Sequence, residues 1–437
     1  PMKALIRNIK EIGLKCGVVA ALVGSIYAAK AQSRGENLDE AKVGSYTLPD
    51  PLIATNGKRI KSAEEWTKSR RPEVLQLFSD HVYGKFPGRP GDLHYKVNSV
   101  DEALGGRAIR KQVTVYFSSD NGGPGMEILL YLPKGAKKPV PVFAGLHFYG
   151  NHTVNADPGI RISTQWQQSR TDGSVVNNRA TETGRGIASK SFPIEEILSA
   201  GYGLATVYCG DLEPDHDEGW KTGIRTTLKS ALNIRENEWG AMGAWAWGLS
   251  RMIDYFETDK DVDARQVILT GHSRLGKASL WAAANDTRFA LVVSNNSGEG
   301  GAALARRNFG ETIAIMNKTF PYWFSPKFHE YSGHPDKLPV DQHMLLALMA
   351  PRPLYVASAV DDLWADPKGE FLSAKNAEPV YALFGKKGLG VTEMPAVDQP
   401  VGNTIHYHIR TGGHGMTTYD WQQYIKFADK HLRKQAL

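Results

Sequence analysis

Cysteine is almost missing from this chain, with two residues, Cys16 and Cys209, among 437. A disulfide framework is excluded, so stability has to come from core burial. Charge shows no strong bias either. The formal net charge is +6, but residues 1–31 hold five basic residues and one acidic one, so without them it falls to +2. No Lys/Arg cluster and no RNA-type aromatic motif remains to argue for a nucleic-acid partner. Long apolar runs are lacking too: the run Cys16 to Ala29 is about 14 residues, short of the roughly 20 that span a bilayer. There is no repeat, no low-complexity segment and no convincing zinc pattern, so no metal and no cofactor is expected.

What is present divides at residue 31. Lys3, Arg7, Lys10 and Lys15 precede the apolar run, and Ala29-Lys30-Ala31 offers a small-residue cleavage site. This is the pattern of a secretory signal peptide over 1–31; with Cys209 the one cysteine left after it, a bacterial periplasm or exterior is expected, and the protein is expected to be a monomer without stable membrane insertion. The remaining chain, 32–437, has an ordinary globular composition, 41% hydrophobic and 22% charged over the whole sequence, and reads as one large catalytic domain.

Within it, residues 32–108 read as an N-terminal wrap, with Ser62-Ala63-Glu64-Glu65 opening a helix as a capping box. Strand patterns begin near residue 109 and recur at Gln112 to Phe117, Glu127 to Leu132, Pro139 to Phe148, Leu204 to Tyr208, Val267 to Thr270, Leu291 to Ser294, Leu354 to Ser358 and Ile405 to Ile409. Helical patterns follow several of them, near Met242 to Phe256, from Leu275, near Phe371 to Leu383, and over Tyr419 to Leu432. Met242, Trp245, Leu249, Ile253 and Phe256 share one helix face, which means core packing. Strands alternating with helices predict an α/β protein, a three-layer α/β/α sandwich around a mostly parallel central sheet. Residues 157–191 are polar and too long for an ordinary connection, and read as an insertion near the site.

The chemistry concentrates at Val267 to Ala284, an apolar strand, the turn Gly271-His-Ser-Arg-Leu-Gly276, then an amphipathic helix. That strand-turn-helix context is the one a nucleophile elbow needs. It exposes the Ser273 hydroxyl and puts the Arg274 backbone N–H at a helix N-terminus, where it can help hold an oxyanion. The second glycine stands one place later than in G-x-S-x-G, and the competing reading is a serine that caps a buried helix. A serine hydroxyl also needs a base and the base an acid, in the order Ser, acid, His. His414, flanked by glycines after the strand Ile405 to Ile409, suits the base, whereas His406 and His408 alternate on that strand and are expected to be packed or solvent-facing. For the acid, Asp361, Asp362 and Asp366 all follow the strand Leu354 to Ser358, and spacing does not choose among them.

Gly271-His-Ser-Arg-Leu-Gly-Lys277, Asn296-Ser-Gly-Glu-Gly-Gly-Ala-Ala303, Arg307-Asn-Phe-Gly-Glu311, Leu338-Pro-Val-Asp-Gln-His343 and Leu363-Trp-Ala-Asp-Pro-Lys-Gly-Glu-Phe371 together resemble the bacterial glucuronoyl esterases of carbohydrate esterase family 15. The resemblance covers most of residues 60–435 and implies an α/β-hydrolase fold. It also implies a serine esterase acting on the ester between (4-O-methyl-)glucuronic acid of glucuronoxylan and a lignin-type or simple alcohol. By the same resemblance Ser273 is the nucleophile, His414 the base, and Arg274 an oxyanion donor through side chain and backbone. Lys277, Glu311 and Trp364 hold the glucuronate. Many members carry the acid at the position of Asn296; some bacterial members use one after a later strand, which corresponds to Asp362, and Glu299 is a further alternative. Two other functions fit the residues less well: a carbohydrate acetylesterase, with no need to grip a uronate, and a non-catalytic glucuronoxylan-binding homologue in which Asn296 marks a lost acid.

Overall fold

The computed structural model describes residues 35–432, so the expected signal peptide over 1–31 lies outside the described residues. The sheet and helices below belong to one unit that runs from Asn37. Ten strands make the sheet: β1 His94–Ala103, β2 Ala108–Tyr116, β3 Gly125–Pro133, β4 Val140–His147, β5 Gly203–Tyr208, β6 Val262–His272, β7 Leu291–Asn295, β8 Leu354–Ala359, β9 Val401–Gly402 and β10 Ile405–Arg410. Their order is β1-β2-β3-β5-β4-β6-β7-β8-β10-β9. From β5 to β10 neighbours run parallel, while β1 to β3, the β3/β5 junction and β9 are antiparallel. The helices that position the site are α1 Arg71–Phe78, α2 Ile194–Ser199, α3 Ala241–Phe256, α4 Arg274–Asn285, α5 Pro367–Leu383 and α6 Thr418–Leu432.

Strand alternation produces the layers. Ile128, Leu130, Val142, Ala144, Val267, Leu269 and Val292 pack in one core with α1, α3, α4 and α5. Their chain neighbours Leu129, Tyr131, Phe143, Ile268, Leu291 and Val293 pack in another with α2 and α6. A strand buried on both faces reads as a continuous apolar run, and period 2 assigns each residue to one helix layer. Every residue of α3 is buried, so its tryptophans are core, with Trp245 Nε1 donating to Glu213 O.

The sheet starts earlier than the apolar pattern suggests, at His94 instead of near 109. The reason is that β1 is an edge strand with Ala103 alone buried, and such a strand carries no buried-face alternation to read. Ahead of it, Ser62 Oγ accepts from Glu65 N at 3.1 Å, but Glu65 returns its carboxylate to Lys61 N, one residue before the cap. Helical turns continue to Tyr83 through two five-residue π-helical stretches, Trp66–Arg70 and Ser79–Tyr83. Arg71 fastens this segment by donating to Ala284 O at 2.6 Å, just before the end of α4. Residues 157–191 hold a hairpin of two-residue strands, Val175–Val176 and Arg179–Ala180. The segment is anchored where Arg110 meets Asp157 at 2.6 Å, and Trp166 O accepts from Tyr208 OH at the carboxyl end of β5. No helix among the described residues is long and apolar enough to cross a membrane.

Candidate active site

The turn between β6 and α4 is possible only because two side chains are missing. A Cβ on Gly271 would stand 2.4 Å from Leu275 O and Ser279 Oγ, and one on Gly276 would stand 3.0 Å from Gly271 O. The glycine displaced by one place thus serves the same close crossing of helix and strand. At the apex Ser273 takes φ 55 and ψ −134, a conformation that L-residues reach only under strain of order 1–3 kcal/mol. It is held there by Ser273 N donating to Asn295 O at 2.9 Å. The strain turns Oγ out of the helix. It is therefore not a capping serine: no cap hydrogen bond is made by its side chain.

Ser273 Oγ instead lies 3.0 Å from His414 Nε2, and His414 Nδ1 lies 2.7 Å from Asp362 Oδ2. A carboxylate only accepts, so the neutral ring carries its proton on Nδ1 and presents the Nε2 lone pair to the serine hydroxyl. The chain separation is 141 residues for the first contact and 52 for the second. Asp362 is buried while the His414 side chain is 42% exposed, which leaves the serine side of the ring open to a substrate.

The competing carboxylates are engaged elsewhere. Asp366 pairs with Arg307 Nε at 2.8 Å and caps α5 through Gly369 N. Asp361 is exposed. Glu299 is buried and accepts from Gly300 N; burial, with Asp341 nearby, pushes its carboxyl far up. Asn296 reaches the same carboxylate: in the left-handed region at φ 45, it donates Nδ2 to Asp362 Oδ2 at 2.8 Å. Glu370 lies beneath this corner, accepting from Ser358 Oγ at 2.6 Å and Gly298 N at 3.0 Å. Burial, against those hydrogen bonds, pushes its carboxyl up to about 8.

Three residues that sequence reasoning did not single out complete the frame. Arg410 Nε pairs with Asp420 at 2.8 Å, and its Nη1 and Nη2 donate to Thr411 O, Gly413 O and Gly415 O at 2.8–3.1 Å. One guanidinium thus gathers the carbonyls of the His414 loop. His272 packs its ring 4.6 Å from that of His414, with Nδ1 donating to Asn295 Oδ1 at 2.7 Å. Burial, reinforced by the neighbouring His414, pushes it down to about 4, so it stays neutral beside the working ring. Asp215 holds Arg274 Nε at 2.6 Å while accepting from Tyr322 OH and Trp323 Nε1. Only the glycines around His414 hinted at the first of these, because a strand arginine and a loop aspartate carry no motif.

The Arg274 guanidinium also lies over Phe148, 4.4 Å from the ring centroid, and its backbone N–H is a first-turn donor that α4 itself does not use. Lys277 is not a solvated helix lysine: it is 2% exposed and paired with Glu311, with its ammonium 5.4 Å from the Trp323 ring centroid. Glu311 N in turn donates to Trp364 O at 2.9 Å. Lys277 and Glu311 are thus joined through their side chains, and Glu311 and Trp364 through their backbones. Among the described residues no group of three or more His, Cys, Asp or Glu is placed to hold a metal ion. A strained serine beside a base, an acid and helix-terminal donors can perform acyl transfer.

Comparison with known proteins agrees with that chemistry. The family described as glucuronyl esterase of fungi matches residues 231–385. The chain is 48% identical to a family-15 carbohydrate esterase structure from a marine bacterial metagenome, with a TM-score of 0.86, covering 91% of this chain and 100% of that one. It is 51% identical to the structure of a glucuronoyl esterase from Solibacter usitatus, with a TM-score of 0.84 and coverages of 90% and 100%. It is also 34% identical, over 347 residues covering 77% of this chain and 72% of the relative, to a 4-O-methyl-glucuronoyl methylesterase from Wolfiporia cocos.

Proposed function

The chain belongs to the glucuronoyl esterases of carbohydrate esterase family 15, and from that premise we propose that Ser273, His414 and Asp362 hydrolyse the ester of (4-O-methyl-)glucuronic acid on glucuronoxylan. The observation that carries the assignment is the chain of contacts Ser273 Oγ to His414 Nε2 at 3.0 Å and His414 Nδ1 to Asp362 Oδ2 at 2.7 Å.

His414 takes the Ser273 proton as Oγ bonds to the C6 carbonyl carbon, and the carbonyl oxygen becomes an oxyanion facing the Arg274 N–H and guanidinium. Collapse breaks the ester C–O bond, and the imidazolium gives its proton to the departing alcohol, a lignin-type alcohol or methanol. Water, deprotonated by His414, then attacks the glucuronoyl-serine; the second collapse frees glucuronate and returns the proton to Ser273. Asp362 stabilises the imidazolium in both halves, and Asn296 holds Asp362 in place. Lys277 and Glu311 meet the sugar hydroxyls, and Trp364 offers the ring an apolar face.

Action on a wall polymer argues for an enzyme outside the cytoplasm, in the periplasm or exterior. The test is hydrolysis of benzyl glucuronate by the protein and by Ser273→Ala. Turnover by the first and its loss in the second is the expected result. Release of acetate from acetylated xylan with no action on glucuronate esters, or equal rates for both proteins, overturns it.

A further inference from the structure

Away from Ser273, the outer antiparallel strands and the segment 161–165 enclose a cavity of about 290 Å³. That is near the lower end of small-ligand pockets, which run from about 300 to 1,000 Å³, and suits a single ring more than an extended chain. Its walls carry the amide and hydroxyls of Asn98, Thr114 and Thr164 and the rings of Tyr116 and Tyr208, while the Gln112 amide in the same wall is taken up by Ser99, Gly159 and Arg161. Glu127 pairs with Arg161 at 3.2 Å, and Lys96, exposed on β1, adds a further cation to the lining. At the floor, Asp211 uses Oδ2 to accept from Glu127 N at 2.9 Å. Burial, against that hydrogen bond, pushes its carboxyl up to about 8.

We propose that this cavity is a second carbohydrate site, which binds one neutral pyranose unit of the polysaccharide while the esterified glucuronate occupies the site at Ser273. The inference rests on the esterase reading for the identity of the polymer. Convergent hydroxyl and amide groups with aromatic faces match a ring of hydroxyls and C–H bonds, whereas both cations of the lining, Lys96 and Arg161, are solvent-exposed, so neither offers a uronate a desolvated partner. The segment 208–215 connects the two sites: it places Tyr208 and Asp211 on the cavity and Asp215 on Arg274.

The probe is xylotriose, titrated by calorimetry into the Ser273→Ala protein and into the same protein carrying Thr164→Trp or Asn98→Ala. Thr164 is exposed at the cavity mouth, so an indole there blocks entry without touching the core, and unchanged melting temperatures verify the folds. Saturable binding that weakens about tenfold or more with either substitution, about 1.4 kcal/mol, is the expected result. In the Ser273 background, Thr164→Trp leaves hydrolysis of benzyl glucuronate within about twofold. No saturable binding, binding that survives Thr164→Trp, or glucuronate displacing xylotriose overturns the proposal. Failure of the esterase reading shows separately, as absent benzyl glucuronate hydrolysis.

Discussion

Replacing Asp362 by asparagine isolates the charge that the site supplies to His414. The side chain keeps its volume, and an amide oxygen can still accept from Asn296 Nδ2, now 2.8 Å from Oδ2, and from His414 Nδ1, now at 2.7 Å. What disappears is the attraction between a carboxylate and the imidazolium that forms as Ser273 attacks. With charge centres about 4 Å apart and an effective dielectric near 20, that attraction is about 4 kcal/mol, or roughly 10³ in rate. An amide can also turn its NH₂ toward the ring and favour the wrong tautomer, which in a serine protease brings the loss to about 10⁴. Asp362→Asn is therefore expected to lower kcat on benzyl glucuronate by about 10³–10⁴ with little change in KM, and Asn296→Ala by roughly tenfold, since it removes one hydrogen bond to a charged group. Steady-state kinetics with a thermal melt as folding control make the measurement. A loss under about tenfold for Asp362→Asn, or a larger loss for Asn296→Ala than for Asp362→Asn, refutes the assignment of the acid.

Three other outcomes follow from the surrounding contacts. Arg410→Lys keeps the charge beside Asp420 but not the fork that collects three loop carbonyls; kcat is expected to fall about 10–100-fold, as a misplaced base does, and wild-type kinetics would remove Arg410 from the positioning frame. Lys277→Met leaves the Glu311 carboxylate buried without its partner and is expected to destabilise by about 3–5 kcal/mol in urea unfolding, while Lys277→Met with Glu311→Leu regains most of the stability but not the KM for glucuronate esters. Glu370, with a folded pKa of about 8 against 4.5, holds a proton that the unfolded chain releases between those values. Its contribution is present below about pH 4.5 and lost as pH rises toward 8, by up to about 1.4 kcal/mol per pH unit. Glu370→Gln is expected to flatten that slope in unfolding free energies measured at pH 5 to 8, and identical slopes would refute it.

Local sequence determined the elements because their causes are local. Continuous apolar runs bounded by turns specify strands buried on two faces, and the period of Met242 to Phe256 specifies a core helix. Gly271 and Gly276 around Ser273 announce a crossing too tight for a side chain. The edge strand β1 escaped because exposure removes the pattern that burial imposes. Tertiary structure decided what depends on contacts between distant residues. Spacing did not choose among Asp361, Asp362 and Asp366, and it took the family resemblance to favour Asp362 over Glu299; the fold puts Asp362 against a histidine 52 residues away, commits Asp366 to Arg307 and buries Glu299. The same holds for Asn296, which as a letter stands where many relatives carry the acid and in the fold donates to the Asp362 carboxylate. Hydrogen bonds reach about 3 Å in space whatever the chain separation, so chain order narrows the candidates and the packed sheet ends choose among them.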